Sequence, residues 1–134
     1  MKKIVCIVMV GLLAFSYAGS VTPTLSLRVN DVLSGLDFAS PVIGLKMNLS
    51  DSMNSGFDSS TSGAITSSRI YIERSYGRIG LGTYSGGDDN GKAYFTVGSS
   101  YSVQDNLNVE LEYVLNSLAT NTADALNLSL TVNF

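Results

Sequence analysis

Glu110 and Glu112 stand two residues apart in the segment NVELEY, a spacing that could serve acid–base chemistry. Side chains at this spacing share one face of a β-strand, and two carboxylates on one face could act as the acid and base of glycoside hydrolysis. The residue types favour a plainer interpretation, in which the carboxylates pair with Arg or Lys or are solvated. The chain has no histidine, and its one cysteine is Cys6, so residues 19–134 lack the usual general base and thiol nucleophile. We therefore expect no enzymatic activity.

The acidic segment SGGDDNGK, residues 85–92, has the composition of a calcium-binding loop. A calcium loop of the EF-hand type needs acidic ligands spaced as D-x-D-x-D-G and a distal glutamate. That spacing is absent from this segment. We expect a flexible acidic loop, no bound metal and no cofactor.

The first residues have the organisation of a secretory signal peptide. Lys2 and Lys3 precede an apolar run, Ile4–Phe15, and the small-x-small motif that ends at Ala18 follows directly. A short membrane anchor or core helix is the alternative, but the run is short and a cleavage motif follows it. We predict a signal peptide at 1–18 and one domain at 19–134, with six basic and eleven acidic residues. This acidic balance argues against nucleic acid as a partner.

The elements that position these charges alternate apolar and small polar side chains, the two-residue period of β-strands. The segments are TLSLRVN (24–30), VIGLKMNLS (42–50), the hairpin RIYIERSYGRIGLGTY (69–84), KAYFTVGSSYSV (92–103), NLNVELEYVLN (106–116) and ALNLSLTVNF (125–134). Long polar connections alternate with tight turns, which is the layout of outer-membrane β-barrels. An even strand count then requires one more strand, for which GLDFAS (35–40), ahead of a turn at Pro41, is the candidate. The sequence thus predicts an all-β, antiparallel transmembrane barrel of about eight strands, with its longest loop at 50–65.

Placing each polar face inside the barrel sorts the charged residues. Asp58 and the other remaining acids fall in or beside predicted connections. No charge is forced onto the middle of the apolar face, where it would cost about 2–4 kcal/mol in lipid. The interior charges could form ion pairs that close the lumen, or they could line a thin water path. The predicted lumen-facing residues are Arg28, Asp37, Lys46, Arg69, Glu73, Arg78, Glu110 and Glu112.

These features resemble Gram-negative outer-membrane β-barrels, whose last strand commonly ends in an aromatic residue such as Phe134. The segment 69–88, with Tyr76-Gly77 in its turn and paired glycines in IGLG, is similar to a strand–turn–strand unit of general diffusion porins. The segment 101–114 resembles the penultimate hairpin of such barrels. The chain is shorter than porins and has no long constriction loop between strands.

The resemblance implies a bacterial outer-membrane location, with outer-membrane lipid and the barrel-insertion machinery as partners. Phe134 would be the insertion signal, and association of copies is left open. We expect a porin-like barrel that allows passive passage of ions or small polar solutes. The first alternative is a closed structural or adhesive barrel acting through loops at 50–65 and 86–91. The second is a soluble exported β-sandwich.

Overall fold

The computed structural model describes residues 21–33, 37–118, 120 and 123–134, with only the backbone described at 37–40. Within these ranges the chain forms eight strands: β1 Val21–Asn30, β2 Asp37–Ser50, β3 Met53–Ser62, β4 Ile65–Arg74, β5 Gly77–Ser85, β6 Ala93–Gln104, β7 Leu107–Leu115 and β8 Ala125–Asn133. Each strand pairs antiparallel with the next, and β1 also pairs with β8, which closes the barrel. The predicted closed barrel of about eight strands is confirmed, and the β-sandwich alternative is wrong. No helix in the described ranges has the length and apolar character needed to cross a membrane.

Alternation along each strand puts polar side chains inside the barrel and apolar side chains outside. On β8, Ser129 and Thr131 are buried, whereas Leu128 and Leu130, which alternate with them, are 39% and 45% exposed. The outward apolar residues of the other strands are also largely exposed. The protein therefore has a polar core inside an apolar surface, the reverse of a water-soluble domain.

The predicted strand at 35–40 and the turn at Pro41 are wrong. Asp37–Ser50 is one continuous strand, and Pro41 lies within it, opposite Leu27 of β1. The register between β1 and β2 shifts between Leu27 and Val29. Proline cannot donate to a strand ladder and is tolerated at such irregularities, so it marks a bulge here and not a turn.

The predicted longest loop, at 50–65, is also wrong, because most of it is β3. This strand pairs along its whole length with β4, and its residues 53–60 pair with β2. Its outward positions include Ser55 and Ser59 beside Phe57, so the apolar alternation used to recognise strands is almost missing. The even strand count still holds, because β3 is the additional strand that the sequence analysis placed at 35–40.

The connections differ between the two ends of the barrel. At the long-loop end the strands are joined by residues 31–36, 63–64, 86–92 and 116–124. All of these connections except 63–64 are six to nine residues long. At the tight-turn end the connections are residues 51–52, 75–76 and 105–106, and β1 begins and β8 ends there. The predicted signal peptide, residues 1–18, lies outside the described residues and stays a prediction.

Candidate functional site

The lumen contains a group of paired charges that we call the interior ion-pair network. The structure places the predicted lumen-facing charges inside the barrel wherever their side chains are described. The side chain of Asp37 lies outside the described residues. Asp58, which the sequence analysis assigned to a connection, joins the network because β3 carries it inward. The members are Arg28, Lys46, Asp58, Arg69, Glu73, Arg78, Glu110 and Glu112.

Arg69 is the hub of the network near the middle of β4. Its Nε and Nη2 donate to the two carboxylate oxygens of Asp58 at 3.0 and 2.6 Å, a bidentate pair between residues directly opposite in the β3–β4 register. Its Nη1 donates to Thr96 at 3.2 Å and to Glu112. The guanidinium fork matches a carboxylate geometrically, so Asp58 holds Arg69 in one orientation. Because β4 and β7 are not neighbouring strands, the Arg69–Glu112 pair crosses the lumen.

Arg78 is the second hub, nearer the tight-turn end. Its Nε and Nη2 donate to Glu73 Oε2 at 2.9 and 2.6 Å, and these two residues are also opposite each other in the β4–β5 register. Arg78 also donates to two carboxylates of β7, Glu110 at 2.9 Å and Glu112 at 3.3 Å. Glu112 therefore links the two hubs. Glu110 and Glu112, the two carboxylates that share a strand face, are thus both paired with arginine.

The remaining cations extend the network towards the other strands. Lys46 Nζ donates to Glu73 Oε1 at 3.3 Å, and Arg28 Nη2 lies 3.8 Å from Asp58 Oδ2. Four cations thus face four carboxylates among the described interior charges. Each of these carboxylates already has a basic partner, and no group of acidic side chains in the described ranges is arranged to hold a metal ion.

Tyr71 packs against the guanidinium groups of both hubs. The Arg78 guanidinium carbon lies 4.1 Å from the centre of the Tyr71 ring, and that of Arg69 lies 5.2 Å from it. A ring face attracts a cation, more strongly where water is excluded, and Tyr71 is 4% exposed. The sequence analysis did not identify this residue, although its place between Arg69 and Glu73 on the inward face of a strand was a readable signal.

Glycines opposite the interior tyrosines make room for the rings. Gly56 is directly opposite Tyr71, and Gly82 is directly opposite Tyr94. A Cβ added to either glycine would overlap the ring facing it. An aromatic ring lying over a strand glycine covers exposed backbone and fixes the register of the pair. The two glycine–tyrosine pairs thus let large side chains fill a narrow lumen.

Replacing Gly82 with alanine is expected to lower the free energy of unfolding by about 1–3 kcal/mol, because the new methyl group overpacks the site. The Tyr94 ring cannot move aside easily, since it is 4% exposed and stacks on Tyr84 at 4.6 Å between ring centres. The measurement is urea unfolding of the refolded protein followed by tyrosine fluorescence.

Gly77→Ala is the matched control for this substitution. The nearest atom to a Cβ at Gly77 is the Arg74 carbonyl oxygen at 3.7 Å, which is ordinary contact. We expect Gly77→Ala to be neutral or slightly stabilising. Equal losses in the two variants would show that general strand propensity, and not ring packing, sets the cost.

A small cavity lies on the side of the network that faces the long-loop end, and members of the network form part of its wall. Its volume is about 60 Å³, and Arg28, Arg69, Tyr94, Glu112 and Asn127 are among the residues that line it. Polar walls of this kind suit ordered water. Beyond the cavity, the Tyr84 hydroxyl hydrogen-bonds Asn116 at the start of the β7–β8 connection. Charged side chains therefore cross the lumen near its middle, and the cavity lies between them and the long-loop end.

The two ends of the barrel carry different side chains. At the long-loop end, Asp124 accepts a hydrogen bond from the Ser117 amide at 2.9 Å, which holds the pKa of the Asp124 carboxyl below its usual value. At the tight-turn end, exposed Tyr76 and Tyr101 stack at 5.4 Å between ring centres. Phe134, the predicted insertion signal, follows β8 there, is 73% exposed, and donates its amide to the Pro23 carbonyl at 3.0 Å.

Comparison with known proteins gives a structural likeness without a sequence family. No protein-family model matches the chain, and no curated protein matches it. A solved structure described as "De novo design of transmembrane beta-barrels" is similar with a TM-score of 0.55 and 16% sequence identity. The match covers 87% of this chain and 97% of that chain. At this identity the likeness establishes the fold: a closed eight-stranded antiparallel β-barrel resembling a designed transmembrane barrel.

Proposed function

We propose that this chain is an integral β-barrel of the bacterial outer membrane whose lumen is closed at rest by the interior ion-pair network. Its role is then structural or adhesive, exerted through the connections at the long-loop end. The observation that carries the closed state is the Arg69–Glu112–Arg78 chain of hydrogen bonds across the lumen. No catalytic role is proposed, because each interior carboxylate whose side chain the structure describes is paired with a cation.

The distribution of polarity supports the membrane location. Leu27, Ile43, Ile70 and Ile79 are each at least 60% exposed on the outer face, an arrangement that is costly in water and favourable in acyl chains. Closure of β1 onto β8 leaves no unpaired strand edge, which the interior of a bilayer requires. Export through the signal peptide and insertion guided by Phe134 complete the proposal.

The packing of the lumen supports the closed state. About eight strands enclose an interior just wide enough for side chains to fill. Here both arginine hubs, Tyr71 and four carboxylates occupy the same stretch of lumen. An ion passing this point would have to replace charge-assisted hydrogen bonds of 2.6–3.3 Å around Arg78. Such bonds are individually strong, so the resting barrier is high.

Planar-bilayer conductance of the refolded protein tests the closed state. The wild-type protein is expected to give no discrete current steps. In the double variant Arg69→Ser/Glu112→Ser, both long side chains of one lumen-crossing pair are shortened and the net charge is kept. Small, discrete steps are expected from this variant, which also shows that the assay can detect an opened barrel. Discrete steps from the wild-type protein would contradict the closed state.

Passive passage of ions or small polar solutes is the second candidate, and the cavity of about 60 Å³ beside Arg69 and Glu112 favours it. In this case the network would rearrange to connect the cavity with the tight-turn end. Discrete current steps from the wild-type protein that differ in size between cations and anions would support this candidate, because the rearranged charges would line the path of the ion.

A further inference from the structure

The outer face near the long-loop end changes character around the barrel. On one side, the outward positions within the last five residues of each strand are apolar or aromatic. These residues are Leu27 and Val29 of β1, Phe95 and Val97 of β6, Leu111, Tyr113 and Leu115 of β7, and Leu126 and Leu128 of β8. On the opposite side, the corresponding positions of β3 and β4 are all hydroxyl residues. We call Ser59, Thr61, Thr66 and Ser68 the Ser/Thr surface.

The hydroxyls of the Ser/Thr surface pair with each other across the two strands. Ser59 and Ser68 are directly opposite and hydrogen-bond at 3.0 Å, and Thr61 and Thr66 do the same at 3.0 Å. A pair of hydroxyls has two hydrogens to donate, and the bond between them uses one. The second needs another acceptor, which acyl chains cannot offer and water or a lipid headgroup can.

The connections at the long-loop end show the same difference between the β3–β4 wall and the β7–β8 wall. The β3–β4 connection is only Gly63 and Ala64, whereas the β7–β8 connection on the opposite wall spans 116–124. In that longer connection Leu118 is 67% exposed, and Leu33, after β1, is 78% exposed. A backbone hydrogen bond from Val32 to Leu126 places the start of the β1–β2 connection beside β8. On the outer face, apolar positions thus continue past the strand ends on the β7–β8 side and stop before them on the β3–β4 side. Ile65, 43% exposed at the start of β4, has the inward parity of Arg69 and is not one of the outward positions.

We propose that the Ser/Thr surface contacts lipid headgroups and water, so the boundary of the acyl-chain region lies closer to the middle of the barrel at β3–β4 than at β7–β8. This inference rests on the proposed membrane location. The mismatch between the two walls is met by local thinning of the bilayer, by tilt of the barrel, or by both. In each case the band of outward apolar side chains, which we call the apolar belt, is shorter on the β3–β4 wall than on the β7–β8 wall because it ends at the Ser/Thr surface.

Nitroxide labels at two equivalent positions test the proposal. Ser59 and Leu128 are both fourth from the long-loop end of their strands and both point outward. Residues 19–134 contain no cysteine, so Ser59→Cys and Leu128→Cys each give a single label in the mature protein. In phosphatidylcholine vesicles, collision with a water-soluble nickel chelate is compared with collision with oxygen, which concentrates in acyl chains. The nickel-to-oxygen ratio is expected to be several-fold higher at 59 than at 128.

The other results have distinct meanings. Equal, oxygen-dominated ratios at the two positions would overturn the shortened belt and leave the membrane location intact. Exclusion of both agents from 59 would also overturn it, because another copy of the chain would then cover the surface. Nickel-dominated ratios at both positions would contradict the membrane location itself. Ser68→Cys, at the hydrogen-bonding partner of Ser59, repeats the measurement if Ser59→Cys does not refold.

Discussion

Replacing Arg78 with alanine is expected to lower the free energy of unfolding by about 3–5 kcal/mol, the usual cost of removing one partner from a buried charge cluster. Arg78 is 3% exposed and donates to Glu73, Glu110 and Glu112. Without it, three carboxylates face one another across a narrow lumen. Urea unfolding in detergent micelles, together with the heat-modifiable shift on gels, measures the loss.

Two variants separate the network from general effects of losing an arginine. Arg74→Ala removes an exposed arginine at the end of β4 and should change stability by less than about 0.5 kcal/mol. Glu110→Gln added to Arg78→Ala should recover much of the loss, since Glu110 pairs with Arg78 alone among the described charges. The double-mutant cycle then gives their coupling energy directly. If Arg78→Ala were no worse than Arg74→Ala, the interior pairs would not hold the barrel together.

The strands with apolar outward faces could be predicted from the sequence. In ALNLSLTVNF the period of two is complete, and the observed β8 lies where the pattern puts it. The inward direction of Arg69, Glu73 and Arg78 followed from the same period, because a strand cannot turn one side chain outward without turning its neighbours inward. The alternation of apolar and polar residues is sufficient to predict a strand and the direction of its side chains wherever one face of the strand is uniformly apolar.

β3 could not be predicted in this way because its outer face is itself polar. Ser55, Ser59 and Thr61 remove the contrast between the two faces, and the remaining serines, the glycine and the asparagine are typical of a loop. Asp58 was consequently assigned to a connection, and the bidentate partner of Arg69 was missed. The glycines carried different information. Gly56 and Gly82 each lie opposite an inward tyrosine, so these pairs indicate the register of neighbouring strands and not which face of a strand is apolar.

Pairing partners across the lumen are the other feature that the sequence could not supply. Strand alternation places Glu110 and Glu112 inside but does not say which cation they meet. That choice depends on the stagger of strands that are far apart in the sheet. In the structure the side chains of β4, β5 and β7 meet in the lumen, so one carboxylate, Glu112, contacts both hubs. The ion pairs that cross the lumen therefore depend on the register around the whole barrel.

Replacing Leu128 with arginine is expected to cost about 2–4 kcal/mol and to prevent efficient assembly into vesicles, as a cation does near the middle of a lipid-facing strand. Leu128 points outward from β8, and its two cross-strand neighbours are Leu111 and Val29. Neither neighbour offers a hydrogen-bond acceptor to a guanidinium. The fraction of heat-modifiable protein after refolding into phosphatidylcholine vesicles is the first readout, and urea unfolding of that fraction is the second.

Thr66→Arg is the matched control, because it adds the same charge to the outer face near the long-loop end. Thr66 is the second residue of β4, and an arginine there can extend its guanidinium into the headgroups. Its expected cost is about 0–1 kcal/mol, the range for a cation near the membrane interface. Equally small losses at the two positions would mean that acyl chains do not cover the β7–β8 wall, and equally large losses would mean that they reach Thr66 as well. A large loss at 128 alone places hydrocarbon against that wall, which is the physical condition for a polar core inside an apolar barrel to be stable.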